Sequence, residues 1–197
     1  MSHEEAWDAR YAESQRVWSG NPNVALVSEI SELSPGAALD LGCGEGGDAV
    51  WLAKQGWRVT AVDVSGVALA RAAQHAADAG VTIDFQRRDL RESFPDGEFD
   101  LVSAQFLHFW EDFDRAKILR RAAVAVAPGG TLLIEGHTDH GPADIHLPTP
   151  DEVIASLELG DGWEVLTSAV HPREQQGQDG TTITRRDATV RLRRSWP

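Results

Sequence analysis

Gly42, Gly44 and Gly46 stand at alternate positions in "ALDLGCGEGGDAVWLAKQGWRVTAVDVS", residues 38–65, between two strand-like runs. The stretch fits two patterns at once. Gly42, Gly44 and Gly46 match G-x-G-x-G, while Gly42, Gly44 and Gly47 match G-x-G-x-x-G, so the spacing admits either a dinucleotide or another adenosine cofactor. Either ligand needs backbone without side chains at the end of a first strand, so that it can lie close to the strand and to the N-terminus of the next helix. Asp63, ending the second run, can accept hydrogen bonds from both ribose hydroxyls. Asp40 lies inside the first run, two residues before Gly42. Its charge is unhelpful to a pyrophosphate and welcome to a cationic amino-acid ligand. Asp89, in "RRDL" after the third run, suits a hydrogen bond from an exocyclic adenine amine.

These residues need a frame. Residues 3–17 read as a polar helix carrying Trp7 and Tyr11, followed by the turn "SGNPN" and a second helix to about Leu33. Residues 1–34 are therefore an N-terminal helical cap, and residues 35–197 the main globular unit. There, apolar runs alternate with helical patterns: "AALDL", a helix over 46–55, "WRVTAVDV", a helix over 65–79, "VTIDFQ" and "FDLVSAQF". Such alternation implies right-handed crossovers and a parallel sheet. A helix over 111–127 should stop at "PGG", with "TLLIEG" as the next strand. In "TPDEVIASLEL", Thr149 is placed as N-cap, Pro150 as first helical residue and Glu152 as capping-box partner. "WEVLTSAV" and "TTITRRDATVRLRR" have no helix between them and should form an antiparallel hairpin at one edge. The expected fold class is α/β, with a seven-stranded, mostly parallel sheet whose last strand alone is reversed. Arg185, Arg186, Arg191, Arg193 and Arg194 flank that last run as charges guarding an edge.

A chain of 197 residues suits one domain with a sizeable core. The single cysteine, Cys43, excludes an internal disulfide and reads as a small residue in the turn. The acidic start "MSHEEAWDAR" lacks a signal peptide's apolar core, and no run approaches the roughly 20 apolar residues that span a bilayer, so cytoplasmic residence is expected. Acidic residues number 31 against 18 basic ones, for a net charge of −13. That field repels nucleic acid and anionic membrane, and it favours a small-molecule partner. Nothing in the sequence sets an oligomeric state.

In order and at ordinary spacing, "LDLGCGEG", "VTAVDVS", "RRDL", "FDLVSAQFLHF" and "APGGTLLIEG" closely resemble the class I S-adenosylmethionine-dependent methyltransferases, over about residues 36–135. The ends, "WDARYAESQRVWSGNPN" and "HTDHGPADIHLPTPDEV", look more particularly like the tellurite-resistance and thiopurine methyltransferase branch. The resemblance implies a Rossmann-like fold and S-adenosylmethionine as cofactor. It implies that Gly42, Gly44 and Gly46 line the methionine part with Asp40 near its ammonium, that Asp63 holds the ribose, and that Val64 packs on the adenine. Asp89 and Leu90 would contact the adenine edge, and Gln105 would lie near the cofactor. Trp7, Tyr11 and Trp18 either anchor the first helix or cover the methyl group. Arg10 and Arg16 either reach an anionic group or stay solvated.

The methyl acceptor should sit beyond the C-terminal strand ends, where His108, His137, His140, His146 and His171 gather. A small, polarisable acceptor, a thiol or a chalcogen oxyanion, would be gripped by His108, His171 and Arg173 without a strong base. Alternatively His108 acts as general base on a hydroxyl or amine, or simply packs among Phe106, Phe109 and Trp110. "HTDHGPADIH" also has metal-ligand spacing, with Asp139 and Asp144 beside its histidines, but its glycine and proline make a loop and no metal is expected. Two rival functions remain: a nicotinamide-dependent oxidoreductase, and a module that binds the cofactor without transferring its methyl group.

Overall fold

The computed structural model describes residues 2–14, 17, 19–107, 114–139, 146–176 and 181–196. Seven strands make one sheet: β1 (Ala37–Leu41), β2 (Arg58–Asp63), β3 (Asp84–Arg87), β4 (Phe99–Gln105), β5 (Val126–His137), β6 (Trp163–Gln176) and β7 (Thr182–Arg194). Their order is β3-β2-β1-β4-β5-β7-β6. β7 is antiparallel to both its neighbours, and the other pairings are parallel. The helices are α1 (His3–Ala12), α2 (Val24–Ile30), α3 (Gly47–Lys54), α4 (Gly66–Asp78), α5 (Arg115–Val124) and α6 (Pro150–Ser156). Strand order reverses between β1 and β4, the place where open α/β sheets bind ligands. Among the described residues, no helix is long and apolar enough to cross a membrane.

The two faces of the sheet differ. Successive strand residues point to opposite sides, and Leu39, Leu41, Val62, Val102, Ala104, Leu132, Ile134, Val190 and Leu192 share one apolar core with Ile118, Leu119 and Val153 of α5 and α6. The other face packs Ala38, Val59, Ala61, Leu101 and Leu133 against Leu26, Ile30, Ala49 and Leu52 of α2 and α3. On that face the residues nearer the C-terminal strand ends turn polar yet stay buried: Asp40, Asp63, Ser103, Gln105, Glu135, Asp187 and Thr189. Burying so many polar groups is costly unless they serve one another or a ligand.

The capping box at Thr149 and Glu152 forms, with Pro150 in the first turn, and Ser2 and Glu5 make a second one on α1. Other boundaries move. α1 stops at Ala12 rather than 17, with Glu13 as C-cap, and α2 ends at Ile30. α5 begins at Arg115 because Asp114 caps it by accepting from Lys117 N–H. "APGG" does not separate helix from strand. It lies inside β5, where the register with β4 shifts between Phe99 and Leu101, and Gly129 at φ +77° accepts Trp196 where a Cβ would lie 2.5 Å from its ring.

The arginine run does not guard an edge, since β7 lies inside the sheet and β6 is the edge. Its charges meet particular partners instead: Arg193 donates to Glu164 (2.5 Å), Arg194 to the Val126 carbonyl (2.5 Å), and Arg191 lies 3.7 Å from Glu29 of α2. β6 and β7 also outrun β5. Beyond the His137–Asp187 pair, Arg186 still gives its carbonyl to the N–H (3.0 Å) and hydroxyl (2.8 Å) of Thr138, and the pairs from Arg173–Arg185 to Gln176–Thr182 continue as a two-stranded arm at the C-terminal end of the sheet.

The cap is fastened by named groups. Asp8 Oδ1 accepts from Ser65 Oγ (2.5 Å) and Val67 N–H (3.2 Å) at the start of α4. Arg71 of α4 donates to the carbonyls of Tyr11 and Ser14 and to Glu45, each at 2.8 Å. Glu45 accepts from Val17 N–H as well (3.0 Å). Asp48 takes both the N–H (2.6 Å) and the side-chain amide (2.7 Å) of Asn23.

Candidate functional site

The turn after β1 chooses between the two glycine patterns. Gly42, Gly44 and Gly46 lie at φ +72°, +53° and +83°, in the region where a side chain is strained, whereas Gly47 begins α3 and is kept bare only by the Asn21 carbonyl, 2.9 Å from where its Cβ would lie. Space is short too, since a Cβ on Gly42 would approach Leu107 Cδ1 to 2.7 Å. Asp63 holds the turn from β2: its Oδ2 accepts from Gly44 N–H (2.8 Å) and its Oδ1 from Ser65 N–H (2.9 Å). A carboxylate has about four acceptor sites, so two such bonds still leave capacity for hydroxyl donors.

Asp40 is 2% exposed, and its Oδ2 has no hydrogen-bond partner. Burial pushes its carboxyl well above the usual carboxylate range, and the nearby charges of Asp48 and Asp63 push it further. Asp48 and Asp63 are raised by burial as well, each partly offset by hydrogen bonds. Among the described residues none of the three is paired with a lysine or arginine. A concentration of buried negative charge around a bare backbone turn calls for a cation from outside. An ammonium or sulfonium meets that need, and a pyrophosphate would worsen the repulsion.

The expected adenine contacts fare unevenly. Val64 is half-buried between Asp63 and Ser65. Asp89 accepts from its own near neighbour, Arg91, through the backbone N–H (3.0 Å) and the guanidinium (2.5 Å), and those bonds hold its carboxyl below the ordinary range despite some burial. Those bonds make it a cap of its own turn as well. The Leu90 side chain is 6% exposed within the apolar core under α5, so its backbone is the part able to meet a base. Gln105 is buried, donates to Ser103 Oγ (3.1 Å) and keeps an unpartnered Oε1. Tyr11 is 3% exposed, its ring 6.1 Å from that of Trp7 and its carbonyl bound by Arg71, so it anchors α1. Trp18 and Arg16 lie outside the described residues.

A second cluster sits where β4, β5, β7 and β6 end. Phe106, directly after β4, is a non-glycine residue at φ +52°. Its N–H donates to the Glu135 carbonyl (3.0 Å), and its ring lies 4.5 Å from that of His137. The Arg173 guanidinium lies over the same Phe106 ring, 5.6 Å from its centroid. Asp187, fully buried, bonds His137 Nδ1 through Oδ1 (2.9 Å) and accepts from Arg173 Nε through Oδ2. Burial works to raise its carboxyl, yet the bonds from His137 and Arg173 together hold it below the ordinary range. One row deeper, His171 Nε2 lies 2.8 Å from Glu135 Oε1 and 3.0 Å from Thr189 Oγ1, and Thr189 donates to Glu135 Oε2 (2.5 Å). Burial pushes Glu135 up to about 7 against the pull of these bonds.

Of the three residues expected to grip the acceptor, Arg173 pairs with Asp187 and His171 faces the carboxylate of Glu135. His108, the third member, lies outside the described residues, as do His140 and Asp144. His146 lies 3.1 Å from the exposed Glu152, and among the described residues no group of three or more potential metal ligands occurs. Sequence reasoning missed Glu45, Asp48, Arg71, Phe106 and Asp187. Glu45 and Asp48 were in plain view as the residues between and after the glycines, whereas Asp187 becomes special only when β7 is inserted beside β5.

Residues 38–130 match the family model described as a methyltransferase domain. The ubiquinone biosynthesis O-methyltransferase of Pseudomonas aeruginosa (strain UCBPP-PA14) is 32% identical over 133 residues, covering 65% of this chain and 56% of that protein. The chain thus spans little more than half the length of that curated relative. A solved structure described under the conversion of a disulfide bond into a thioacetal group during echinomycin biosynthesis is 27% identical, with a TM-score of 0.78 over 99% of this chain and 93% of that one. The N-methyltransferase NodS from Bradyrhizobium japonicum WM9, solved with S-adenosyl-L-homocysteine, is 19% identical with a TM-score of 0.71, over 98% of this chain and 99% of NodS. The architecture is the Rossmann-like class I fold these structures share.

Proposed function

For a chain whose residues 38–130 match a methyltransferase domain, we propose an S-adenosylmethionine-dependent methyltransferase acting on a small molecule. One observation carries this reading: the unpartnered, buried Asp40 Oδ2 among three carboxylates beside the left-handed glycine turn. The residues fit the cofactor. Gly42, Gly44 and Gly46 give its methionine part a bare backbone, Asp40 takes its ammonium and Asp63 its ribose hydroxyls. When bound, the cofactor supplies a methyl group on a sulfonium. The chain's own task is then to orient the acceptor in line and exclude water. Trp7 and the segment after α1 are the expected cover, held over the turn by Arg71 and Glu45. The same acidic cluster argues against the nicotinamide reading.

For the acceptor we favour a hydroxyl, supported by the O-methyltransferase relative and by a sheet end richer in proton acceptors than in free cations. A sulfur acceptor is the second reading, supported by the thioacetal-forming neighbour. Kinship with the tellurite-resistance and thiopurine branch rests on the two end segments, neither of which falls within the matched residues 38–130. Calorimetric titration with S-adenosylmethionine, S-adenosylhomocysteine and NAD tests the cofactor, and tight binding of NAD alone would end this reading. A labelled-methyl screen over phenols, alcohols, thiols and oxyanions tests transfer. Binding of the cofactor with no labelled product from any class would leave a binding module in place of an enzyme.

A further inference from the structure

Resting on that cofactor reading, we infer that Arg185 sets the class of acceptor: its guanidinium binds a carboxylate of the acceptor, remote from the atom that is methylated. Strand register places it. Arg185 of β7 stands directly opposite Arg173 of β6 and two residues before Asp187, so the three side chains rise from the face on which Gln105 and Glu135 are buried. Two guanidiniums so placed start from Cβ atoms about 5 Å apart and repel each other. Arg173 is relieved of this, since it donates to Asp187 and lies over the Phe106 ring. Arg185 has no such relief among the described residues. It is half-buried, its Nε is buried without a hydrogen-bond partner, and both oxygens of the neighbouring Asp187 are taken by His137 and Arg173. The arginines further along β7 are matched by Glu29, Glu164 and Glu98. Two other arginines also bury a nitrogen without a partner, but Arg191 lies beside Glu29 and Arg115 gives its Nε to the Leu107 carbonyl. The charge of Arg185 is left for a group from outside.

A chain of contacts leads from the glycine turn to this group. Leu107 packs against Gly42, Phe106 precedes Leu107, and the guanidinium opposite Arg185 covers the Phe106 ring. Arg185 itself lies one side-chain row, roughly 7 Å, beyond Asp187 along β7. An acceptor lying along Phe106 with its reacting atom toward Gly42 therefore extends its far end toward Arg185. A planar guanidinium offers a carboxylate two parallel hydrogen bonds, a match that an amide or an alkyl group lacks. The chain's net charge of −13 opposes an anion at long range, so an acidic acceptor requires a cation at the point of contact. The carboxylate takes no part in the transfer. Its bond to Arg185 fixes one end of the acceptor, which helps to hold the other in line with the carbon–sulfur bond of the cofactor.

The probes are 4-hydroxybenzoate, 4-hydroxyphenylacetate and 3-(4-hydroxyphenyl)propionate, each beside its amide, titrated by calorimetry into the full chain with and without S-adenosylhomocysteine. At least one acid is expected to bind the wild type about tenfold or more tightly than its amide, as hydrogen bonds to a charged group imply. Arg185→Gln should erase that preference and Arg185→Lys should keep part of it, with S-adenosylhomocysteine affinity equal in all three proteins. An acid preferred over its amide in no pair, or a preference that survives Arg185→Gln, overturns the assignment. If S-adenosylhomocysteine does not bind while the preference and its loss remain, the cofactor reading fails and Arg185 stays a carboxylate site. Should Arg185→Gln not fold, phenylglyoxal labelling of the wild type decides. The acids, and not their amides, are expected to protect Arg185, read by peptide mass spectrometry, and equal labelling with both would overturn the proposal.

Discussion

Asp40 is an expensive residue to keep without a partner, and its expense is informative. A buried carboxyl raised by desolvation and by Asp48 and Asp63 holds its proton above the usual carboxylate range, while a cationic ligand prefers it ionised. Cofactor binding should therefore release a proton, and affinity should rise with pH from the ordinary carboxylate value up to the raised one. Titrations in buffers of different ionisation heat will read this directly, and Asp40→Asn should abolish it. Asp63→Ala, which removes the expected ribose acceptor, should weaken binding by about tenfold or more, as the loss of hydrogen bonds to a charged group does. Glu135 gives the opposite sign on stability. Its folded pKa of about 7 exceeds the ordinary 4.5, so the folded state binds the extra proton, and stability present below about pH 4.5 is lost as pH rises through 7. Glu135→Gln should gain up to about 3 kcal/mol over wild type at pH 8 and little at pH 4.5, measured by urea unfolding.

At the scale of elements, α1 and α4 are joined through groups that also shape the turn. Arg71 spans the two, with Glu45 Oε1 at 2.8 Å and the carbonyls of Tyr11 and Ser14 at the same distance. Arg71→Ala would leave Glu45 buried without its cation, at a cost of about 2–3 kcal/mol and a fall in Tm of about 4–12 °C. It should also speed tryptic cleavage after Arg10 relative to the sheet. Removing residues 1–19 should leave a folded sheet and abolish transfer, and a truncated protein with undiminished turnover would deny the cap any part in catalysis. The helices were legible where local chemistry dictates them, as at Thr149, Pro150 and Glu152. The shorter α1 was not, because the same polar residues can continue a helix or bond to α4, and only the packed neighbour decides.

Across the molecule, what could be read from the chain was what neighbours in sequence settle: the alternation that makes a parallel sheet, the three glycines, and Asp40 and Asp63 beside them. What escaped depends on strand order. "RRDAT" reads as an ordinary polar run, and Asp187 acquires two partners only because β7 lies between β5 and β6. The same insertion hid the true positions of the arginines, while "APGG" became part of a strand rather than a boundary through its irregular pairing with β4. It also makes β7 two different things along its length. From Asp187 to Arg193 the strand pairs with a neighbour on each side, the Arg186 carbonyl still takes Thr138, and before Arg186 it pairs only with β6. Opening energy should therefore change in a step within a single strand: the amides of Val190 and Leu192 should exchange with deuterium only on global unfolding, whereas those from Ile183 to Arg185 should exchange through local fraying, orders of magnitude sooner.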